Sequence, residues 1–282
     1  MEQRPLADFD GDIAIFGCGT MAGAMLSRWL DCGLDPARVT ALRASGAPVG
    51  EGVRVVTAPG DLPAAPAVLI VGIKPQMFSA LAPAIAAVAG PGTLVVSIMA
   101  GIALEDLALA VPGAGAIVRV MPNMPVAEGR GVVAVVGSAA EPNSGPDADQ
   151  QRRLAALLAP LGHVHAMRDE AGFNLVTALT GCGPAFVYRF VAAMAGAAVR
   201  LGLDPADADR LARATVAGAA ATLAESDQTS AALADAVASP GGMTQAGLDV
   251  LDSDGRLTAL MADTLRAARE RGREMAAAVR LD

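Results

Sequence analysis

Aromatic residues are scarce in this chain of 282 residues. They make up 3% of the sequence, whereas hydrophobic residues as a whole make up 53%. The core must therefore be built mainly from aliphatic side chains and alanine, which favours closely packed helices over an aromatic-rich β-sandwich. Basic residues are also few, because 21 Lys and Arg stand against 29 Asp and Glu, for a net charge of −8. This balance argues against a nucleic-acid partner.

Cysteine and long apolar runs are limited as well. Cys18, Cys32 and Cys182 show neither CxxC nor metal-ligand spacing, which excludes a disulfide framework and a zinc site and indicates a reducing cytosol. The start of the chain lacks a basic-then-apolar leader pattern. The longest apolar stretches, such as 191–199, are shorter than the about 18 residues that span a bilayer. We therefore expect a cytoplasmic protein that uses no membrane and no metal, and we interpret His163 and His165 as structural.

Short β-branched runs alternate with helical patterns up to residue 167. The predicted strands are 12–16, 39–42, 53–56, 68–73, 93–98, 116–120, 132–136 and 163–167, and the predicted helices are about 20–32, 76–89, 104–110 and 149–159. Several strands are apolar throughout, as in a sheet covered on both faces. The alternation predicts a doubly wound parallel sheet in an N-terminal Rossmann-type domain, 1–167. The polar loop 138–150 lies between two strands and is not interpreted as a domain linker.

The remaining residues, 168–282, predict an all-helical domain. A helix is expected at 184–202, and a second begins after an Asp204 N-cap with Pro205 in its first position. Further helices are expected at about 229–238, 243–252 and 256–277. The helix at 184–202 carries only two charges, Arg189 and Arg200, on nearly the same helical direction. A helix that is apolar nearly all round is normally buried. We infer a dimer interface, the alternative being the central helix of a monomeric bundle.

A glycine pattern follows the first predicted strand. The stretch IAIFGCGTMAGAM (13–25) places Gly17, Gly19 and Ala22 in G-x-G-x-x-A form between a strand and a helix. This context favours dinucleotide binding, with the pyrophosphate at the helix N-terminus, over a merely tight turn. Arg43 stands where NAD enzymes carry an acidic residue, so we predict a preference for NADP(H). The alternative is a solvated surface arginine.

Three further stretches end predicted strands at the same sheet edge. They are VGIKPQM (71–77), which holds the single lysine, Lys74, SIMAG (97–101) and RVMPNMP (119–125). Asn123, flanked by two prolines, is expected to order a loop beside the nicotinamide. The chain has neither a G-x-S-x-G elbow nor a P-loop, so hydrolase and nucleoside-triphosphatase functions lose support.

The stretch SPGGMT (239–244) interrupts the helical half of the chain. We predict Ser239 as an N-cap, Pro240 as the first helical residue, and free backbone N–H groups on Gly241, Gly242 and Met243. Such a helix start binds a small anion such as a carboxylate, with a further hydroxyl from Thr244. The alternative is an ordinary glycine-rich turn between two helices.

Several of these motifs together resemble those of pyrroline-5-carboxylate reductases. The matching stretches are FGCGTMAGAM, GIKPQ, MPNMP, TALTGCGPAFVY (177–188) and VASPGGMTQAGL (237–248), in the order found in that family. The resemblance implies a Rossmann domain followed by an all-helical dimerisation domain, often assembled into rings of dimers. It also implies reduction of the cyclic imine 1-pyrroline-5-carboxylate to L-proline with NADPH, and more weakly with NADH.

The resemblance also implies roles for individual residues. The cofactor would contact Phe16, Gly17, Cys18, Gly19, Thr20, Met21, Arg43, Gly72, Ile73, Lys74, Pro75, Ile98, Met99 and Ala100, to which the loop argument adds Asn123. The substrate would lie near Thr180, Gly181, Ser239, Gly241, Gly242, Met243 and Thr244. The chain departs from the family pattern at Cys182, Phe186, Met243 and Leu42, and the first two remove hydroxyls near the substrate.

Two other functions compete with this one. A β-hydroxyacid dehydrogenase shares the expected architecture, but such enzymes resemble one another in using a lysine in the helical domain. This chain has no lysine after Lys74. A catalytically silent NADP-sensing protein would keep the glycine pattern but would have no reason to keep SPGGMT.

Overall fold

The computed structural model describes residues 5–137 and 145–277, and its first half is built on one eight-stranded sheet. The strands are β1 (Ile13–Phe16), β2 (Val39–Leu42), β3 (Arg54–Val56), β4 (Val68–Val71), β5 (Leu94–Ser97), β6 (Ala116–Met121), β7 (Gly131–Gly137) and β8 (Gly162–Ala166). Residues 138–144 of the polar loop 138–150 lie outside the described residues. Each predicted strand is present, with ends shifted by at most two residues.

The helices follow the predicted segments closely. They are α1 (Thr20–Asp31), α2 (Phe78–Val88), α3 (Leu104–Ala110), α4 (Ala148–Leu158), α5 (Phe173–Val176), α6 (Gly183–Arg200), α7 (Pro205–Glu225), α8 (Ser230–Val237), α9 (Met243–Asp252) and α10 (Arg256–Ala277). A π-helical turn, Thr177–Gly181, lies between α5 and α6. The Asp204 side chain accepts from the N–H groups of Ala206 and Asp207, which confirms the predicted N-cap of α7.

The sheet order is β3-β2-β1-β4-β5-β6-β7-β8. Its first six strands are parallel and have the order typical of a Rossmann fold, with the switch point between β1 and β4. The prediction of a wholly parallel sheet is wrong at the far edge, because β7 runs antiparallel to β6 and β8 runs parallel to β7. The connection between β6 and β7, residues 122–130, is too short for the crossover helix that a parallel pair requires.

Apolar layers cover both faces of the sheet. On one face, Met25, Leu26 and Trp29 of α1 pack with Leu157 of α4 against alternate strand residues. On the other face, Phe78 and Ile85 of α2 pack against the intervening strand residues. Because most strands are buried on both sides, their sequences are apolar throughout.

The chain divides into two compact units. One runs to Cys182 and takes in the chain from Ala268 onward, and the other is Gly183–Ala267. This division falls later than the boundary predicted between residues 167 and 168, because α5 and the π-turn belong to the first unit. It also falls within α10, whose last turns belong to the first unit.

The second unit buries little of its own apolar surface. Ala195 of α6 packs with Ala208 and Ala212 of α7 in a small cluster of buried residues. Tyr188 and Phe190 of α6 are 64% and 47% exposed in the single chain. A central helix of a monomeric bundle would be covered, so this exposure favours the predicted dimer interface over that alternative.

One expectation about apolar length is wrong. The continuous helical segment Phe173–Arg200 is long and apolar enough to cross a membrane, by length and composition alone. A count of uninterrupted apolar residues does not detect it, because single polar residues end such a run but leave the mean hydropathy of the whole helix high. An apolar helix at an interface between protein chains passes the same test.

Candidate active site

The first βα turn brings the backbone of β1 close to the strand beside it. Gly17 has a φ of +94°, and a Cβ there would lie 2.6 Å from Ile73 Cγ2 and 3.0 Å from Ile73 N. Only glycine fits this left-handed, crowded position. The turn therefore places the start of α1 at the switch point of the sheet.

The N-terminus of α1 is open. Gly19 is its N-cap residue, and no side chain caps the helix. A Cβ built on Gly19 would meet no atom within 4 Å, so the space above the helix start is free. Unpaired N–H groups, the helix dipole and this free space together form an anion site suited to a pyrophosphate.

A cleft of about 1050 Å³ extends from this turn. Nine of the residues predicted to bind the cofactor line it: Phe16, Gly17, Cys18, Gly19, Thr20, Arg43, Gly72, Ile73 and Lys74. Met21, Pro75, Ile98, Met99, Ala100 and Asn123 do not line it. The cleft also takes in residues that the sequence analysis left without a role, chiefly Ser45, Thr57, Pro59 and Met77. Thr57 directly follows β3, so the rule that ligands bind at the carboxyl ends of strands identifies it.

Arg43 lies at the mouth of this cleft. Its Nη1 donates to the carbonyl oxygen of Pro48 at 3.1 Å, and more weakly to that of Ala47 at 3.5 Å. These contacts hold the guanidinium in the loop that follows β2. Burial raises the pKa of the Cys18 thiol, an effect that the positive charge of Arg43 opposes. Burial therefore favours the neutral thiol at this position.

A second, smaller cavity of about 40 Å³ lies in the same unit. Its lining includes Ala100, Arg119, Thr177 and Cys182. The Thr177 hydroxyl is buried without a hydrogen-bond partner in the described part of the chain. The cavity thus adjoins both the loop after β5, predicted to contact the cofactor, and the π-turn that carries Thr180 and Gly181.

A partly buried ion pair fixes the start of the segment from Glu170 to Thr180. Arg119 of β6, with only 6% of its side chain exposed, pairs with Glu170 and lies 4.2 Å from the centre of the Phe173 ring. Glu170 also accepts from the Leu104 N–H at the start of α3. Burial lowers the pKa of Arg119, and the bond to Glu170 opposes this effect. The arginine within the apolar run AIVRV indicates that a partner exists, but nothing in the sequence identifies Glu170 as that partner.

Asn123 fixes the end of the segment from Glu170 to Thr180. Its Nδ2 donates to the Thr180 carbonyl oxygen at 2.9 Å, and its Oδ1 accepts from the Val132 N–H at 2.9 Å. The side chain is buried and engaged with the protein's own backbone. That Asn123 also touches the cofactor stays a prediction of the sequence, and the NADPH affinity of Asn123 variants tests it.

The segment 239–244 differs from its predicted geometry. Helix α9 begins at Met243 with Gly242 as N-cap, so Ser239 is not the N-cap and Pro240 is not the first helical residue. Instead, the Gly242 N–H donates to the Ser239 carbonyl oxygen at 2.9 Å, and Gly241 has a φ of +71°. Proline followed by a glycine of positive φ is the pattern of a type II turn. The glycine-rich turn and a helix start are therefore both present, in succession, and no side chain caps α9.

Similarity to known proteins identifies the family of this chain. Along 94% of its length the chain is 32% identical to a pyrroline-5-carboxylate reductase of Pseudomonas aeruginosa, of which it covers 96%. It is 31% identical to that of Glycine max over 98% of this chain and 100% of the relative. The chain belongs to the pyrroline-5-carboxylate reductase family. Residues 170–275 match the family model described as pyrroline-5-carboxylate reductase dimerisation, and residues 12–101 match the model of NADP oxidoreductases described as coenzyme F420-dependent.

Solved structures agree with this assignment. A pyrroline-5-carboxylate reductase from Coxiella burnetii superposes with a TM-score of 0.84 at 27% identity, covering 94% of this chain and 98% of the other. A pyrroline carboxylate reductase from Plasmodium falciparum, solved with NADP bound, shares the fold with a TM-score of 0.81 at 23% identity, covering 95% and 98%. The predicted family and fold class are confirmed, and the match to the dimerisation model supports the predicted homodimer. The β-hydroxyacid dehydrogenase alternative loses its support.

Proposed function

We propose that this chain reduces 1-pyrroline-5-carboxylate to L-proline with NADPH, the last step of proline biosynthesis. The observation that carries the proposal is the similarity to pyrroline-5-carboxylate reductases over nearly the whole chain. The open dinucleotide cleft and the uncapped start of α9 supply the two kinds of anion site that the reaction needs.

The cleft suits a phosphorylated dinucleotide. Gly17, Gly19 and Thr20 hold the pyrophosphate at the start of α1, and Arg43 neutralises the 2′-phosphate with help from the Ser45 and Thr57 hydroxyls. NADH, which lacks that phosphate, is expected to bind more weakly. Met21, Gly72, Ile73, Lys74, Pro75, Ile98, Met99 and Ala100 are proposed to complete the cofactor site.

The substrate carboxylate is proposed to bind at the start of α9. The N–H groups of Met243 and Thr244 are among the first four of this helix, which no side chain satisfies. The Thr244 hydroxyl is exposed and adds a donor. Ser239, Gly241 and Gly242 shape the turn before it. Thr180 and Gly181 are proposed to contact the substrate on the basis of the family motif that they belong to.

The chemistry needs little from side chains. When bound, NADPH supplies the hydride that C5 of the imine receives. A protonated imine is already electrophilic, so the chain's task is to align the reacting atoms and exclude water. We assign no general acid.

We further propose a cytoplasmic homodimer, and assembly of such dimers into a ring as the resemblance to the family implies. The exposed apolar side chains of α6 and α7 form the dimer contact. Within residues 5–137 and 145–277, no three metal-ligating side chains are grouped as a metal site. We propose an enzyme that works without metal, nucleic acid or membrane.

The direct test is NADPH oxidation by the purified protein with 1-pyrroline-5-carboxylate, beside NADP reduction with hydroxyacids. We expect turnover only with the imine, and its absence would refute the proposal. Thr244→Ala should raise KM for the imine acid more than KM for NADPH, whereas Thr222→Ala, at an exposed position of α7, should change neither. Gly242→Val would be less informative, because a Cβ there would lie 2.4 Å from Ser239 Oγ and would distort the turn.

A further inference from the structure

The Thr180 carbonyl lies where regular helical bonding fails. The π-turn Thr177–Gly181 precedes α6, and the Cys182 N–H donates to the Thr177 carbonyl oxygen five residues back, at 3.2 Å. In an α-helix, the Thr180 carbonyl would accept from the N–H of residue 184. Residue 184 is proline and has no N–H, so the sequence itself removes that donor.

Asn123 supplies a donor in its place. Its Nδ2 lies 2.9 Å from the Thr180 carbonyl oxygen, across 57 positions of the chain. The other end of the amide accepts from Val132 N at 2.9 Å, so the side chain bridges the start of β7 and the π-turn. Asn123 is 6% exposed, which shields both bonds from competing water.

An amide is the side chain that this position requires. It must donate at one end and accept at the other, and aspartate of the same shape accepts at both ends when ionised. A carboxylate would therefore face the Thr180 carbonyl oxygen as acceptor against acceptor. The bond to Val132 would remain, and only the tether to the π-turn would be lost.

We propose that Asn123 is a positioning residue for imine reduction, acting through the Thr180 carbonyl to hold Thr180 and Gly181 in place. The inference rests on the proposed function, because it takes these two residues to lie near the substrate. Asn123 does not line the dinucleotide cleft. Its loss should therefore impair use of the imine and leave NADPH binding nearly unchanged.

The test compares Asn123→Asp with Gln150→Glu. Gln150 is a matched control, because it is 3% exposed and its amide also bridges two backbone groups, accepting from Asp147 N at 3.0 Å and donating to Gly92 O at 3.4 Å. We expect kcat/KM for the imine to fall at least about tenfold in Asn123→Asp and less than about twofold in Gln150→Glu. NADPH affinity, followed by energy transfer from the single Trp29 to the reduced nicotinamide, should change less than about twofold in both.

A second variant isolates the bond itself. Pro184→Ala returns an N–H to the position from which the Thr180 carbonyl would accept. The double variant with Asn123→Ala and Pro184→Ala should have a kcat/KM at least about threefold higher than that of Asn123→Ala alone. A double-mutant cycle measures this coupling. If Asn123→Asp does not yield folded protein, the Asn123→Ala cycle and Asn123→Ser provide the same comparison.

The outcomes separate the two proposals. An inactive wild-type chain would overturn the proposed function. An active wild type with unchanged imine kinetics in Asn123→Asp, or equal losses for imine and NADPH, would overturn the positioning role alone. Failure of Pro184→Ala to restore any activity would also count against it.

Discussion

Two glycines of the first βα turn are expected to respond in opposite ways to the addition of one methyl group. At Gly17, alanine must adopt a φ of +94° and place its Cβ 2.6 Å from Ile73 Cγ2. The left-handed backbone costs about 1–2 kcal/mol, and overpacking costs about 1–3 kcal/mol more. We expect Gly17→Ala to lower the free energy of unfolding by about 2–5 kcal/mol.

At Gly19 the same change meets no atom within 4 Å, and the residue has a φ of −87°. Loss of glycine at an N-cap costs a fraction of a kcal/mol, which the reduced entropy of the unfolded chain offsets by about 0.4–1 kcal/mol. Stability should therefore change by less than about 1 kcal/mol. The methyl group would, however, occupy the space proposed for the pyrophosphate.

The loss of one or two charge-assisted hydrogen bonds, at about 1.5–3 kcal/mol each, predicts NADPH binding weaker by about tenfold or more in Gly19→Ala. Denaturant unfolding and the Trp29 energy-transfer titration measure the two quantities separately. Gly19→Ala that binds NADPH as the wild type does would refute placement of the pyrophosphate at the start of α1. Gly17→Ala of unchanged stability would refute the packing argument.

Three further predictions concern charged and titrating groups. Arg43→Asp should lower the NADPH:NADH ratio of kcat/KM by about 10–100-fold, the value of one charge-assisted bond. Arg38→Asp, with the same change of charge, should leave this ratio unaltered. The same ratio in both variants would refute the 2′-phosphate site. Glu170→Gln leaves the buried Arg119 charge without its anionic partner and should cost about 2 kcal/mol in urea unfolding, less than for a fully buried pair because Glu170 is 29% exposed. Asp149→Asn, in the exposed pair with Arg152, should cost less than about 1 kcal/mol. Equal costs would show that the Arg119–Glu170 pair is not structural. Burial raises the pKa of the Cys18 thiol, so the unfolded chain loses the thiol proton first and stability falls as the pH rises above the ordinary thiol pKa. In this pH range the Tm of Cys18→Ala should fall less steeply than that of the wild type. Parallel plots of Tm against pH for the two proteins would contradict the raised pKa.

The strands were predictable because each is a short apolar run buried on both faces. The direction of each strand was not predictable, since an apolar run such as VVAVV is equally compatible with a parallel and an antiparallel strand. The deciding information was in the connection 122–130, whose length excludes a crossover helix. Connection lengths therefore carry the topology that strand sequences lack.

The glycines of the dinucleotide site were predictable because backbone geometry requires them locally. The N-cap at Ser239 was not, because S-P-G-G suits both a helix start and a type II turn. The P-G dipeptide favours the turn, since proline and glycine match its two central positions. The helix begins at Met243, as the helical pattern 243–252 predicts, and three residues after the start that a Ser239 cap implies.

Long-range tethers escaped sequence analysis for a different reason. The partner of Asn123 is a backbone carbonyl, which leaves no trace in side-chain identity. The partner of Arg119 is a glutamate 51 positions away. A charge within an apolar strand shows that a partner must exist, but not which one.

Both tethers begin on the same stretch of chain, β6 and the loop after it, and both end on the segment from Glu170 to Thr180. Between them only Phe173 and Ala178 are buried, while Leu175 and Leu179 are 46% and 57% exposed in the single chain. Apolar burial within the chain therefore holds this segment less firmly than polar contacts at its two ends. Polar contacts depend on direction, so loss of the Asn123 contact should shift the π-turn without unfolding the sheet. In this family member, the loop after β6 is thus where we expect substitutions to separate catalysis from stability most clearly.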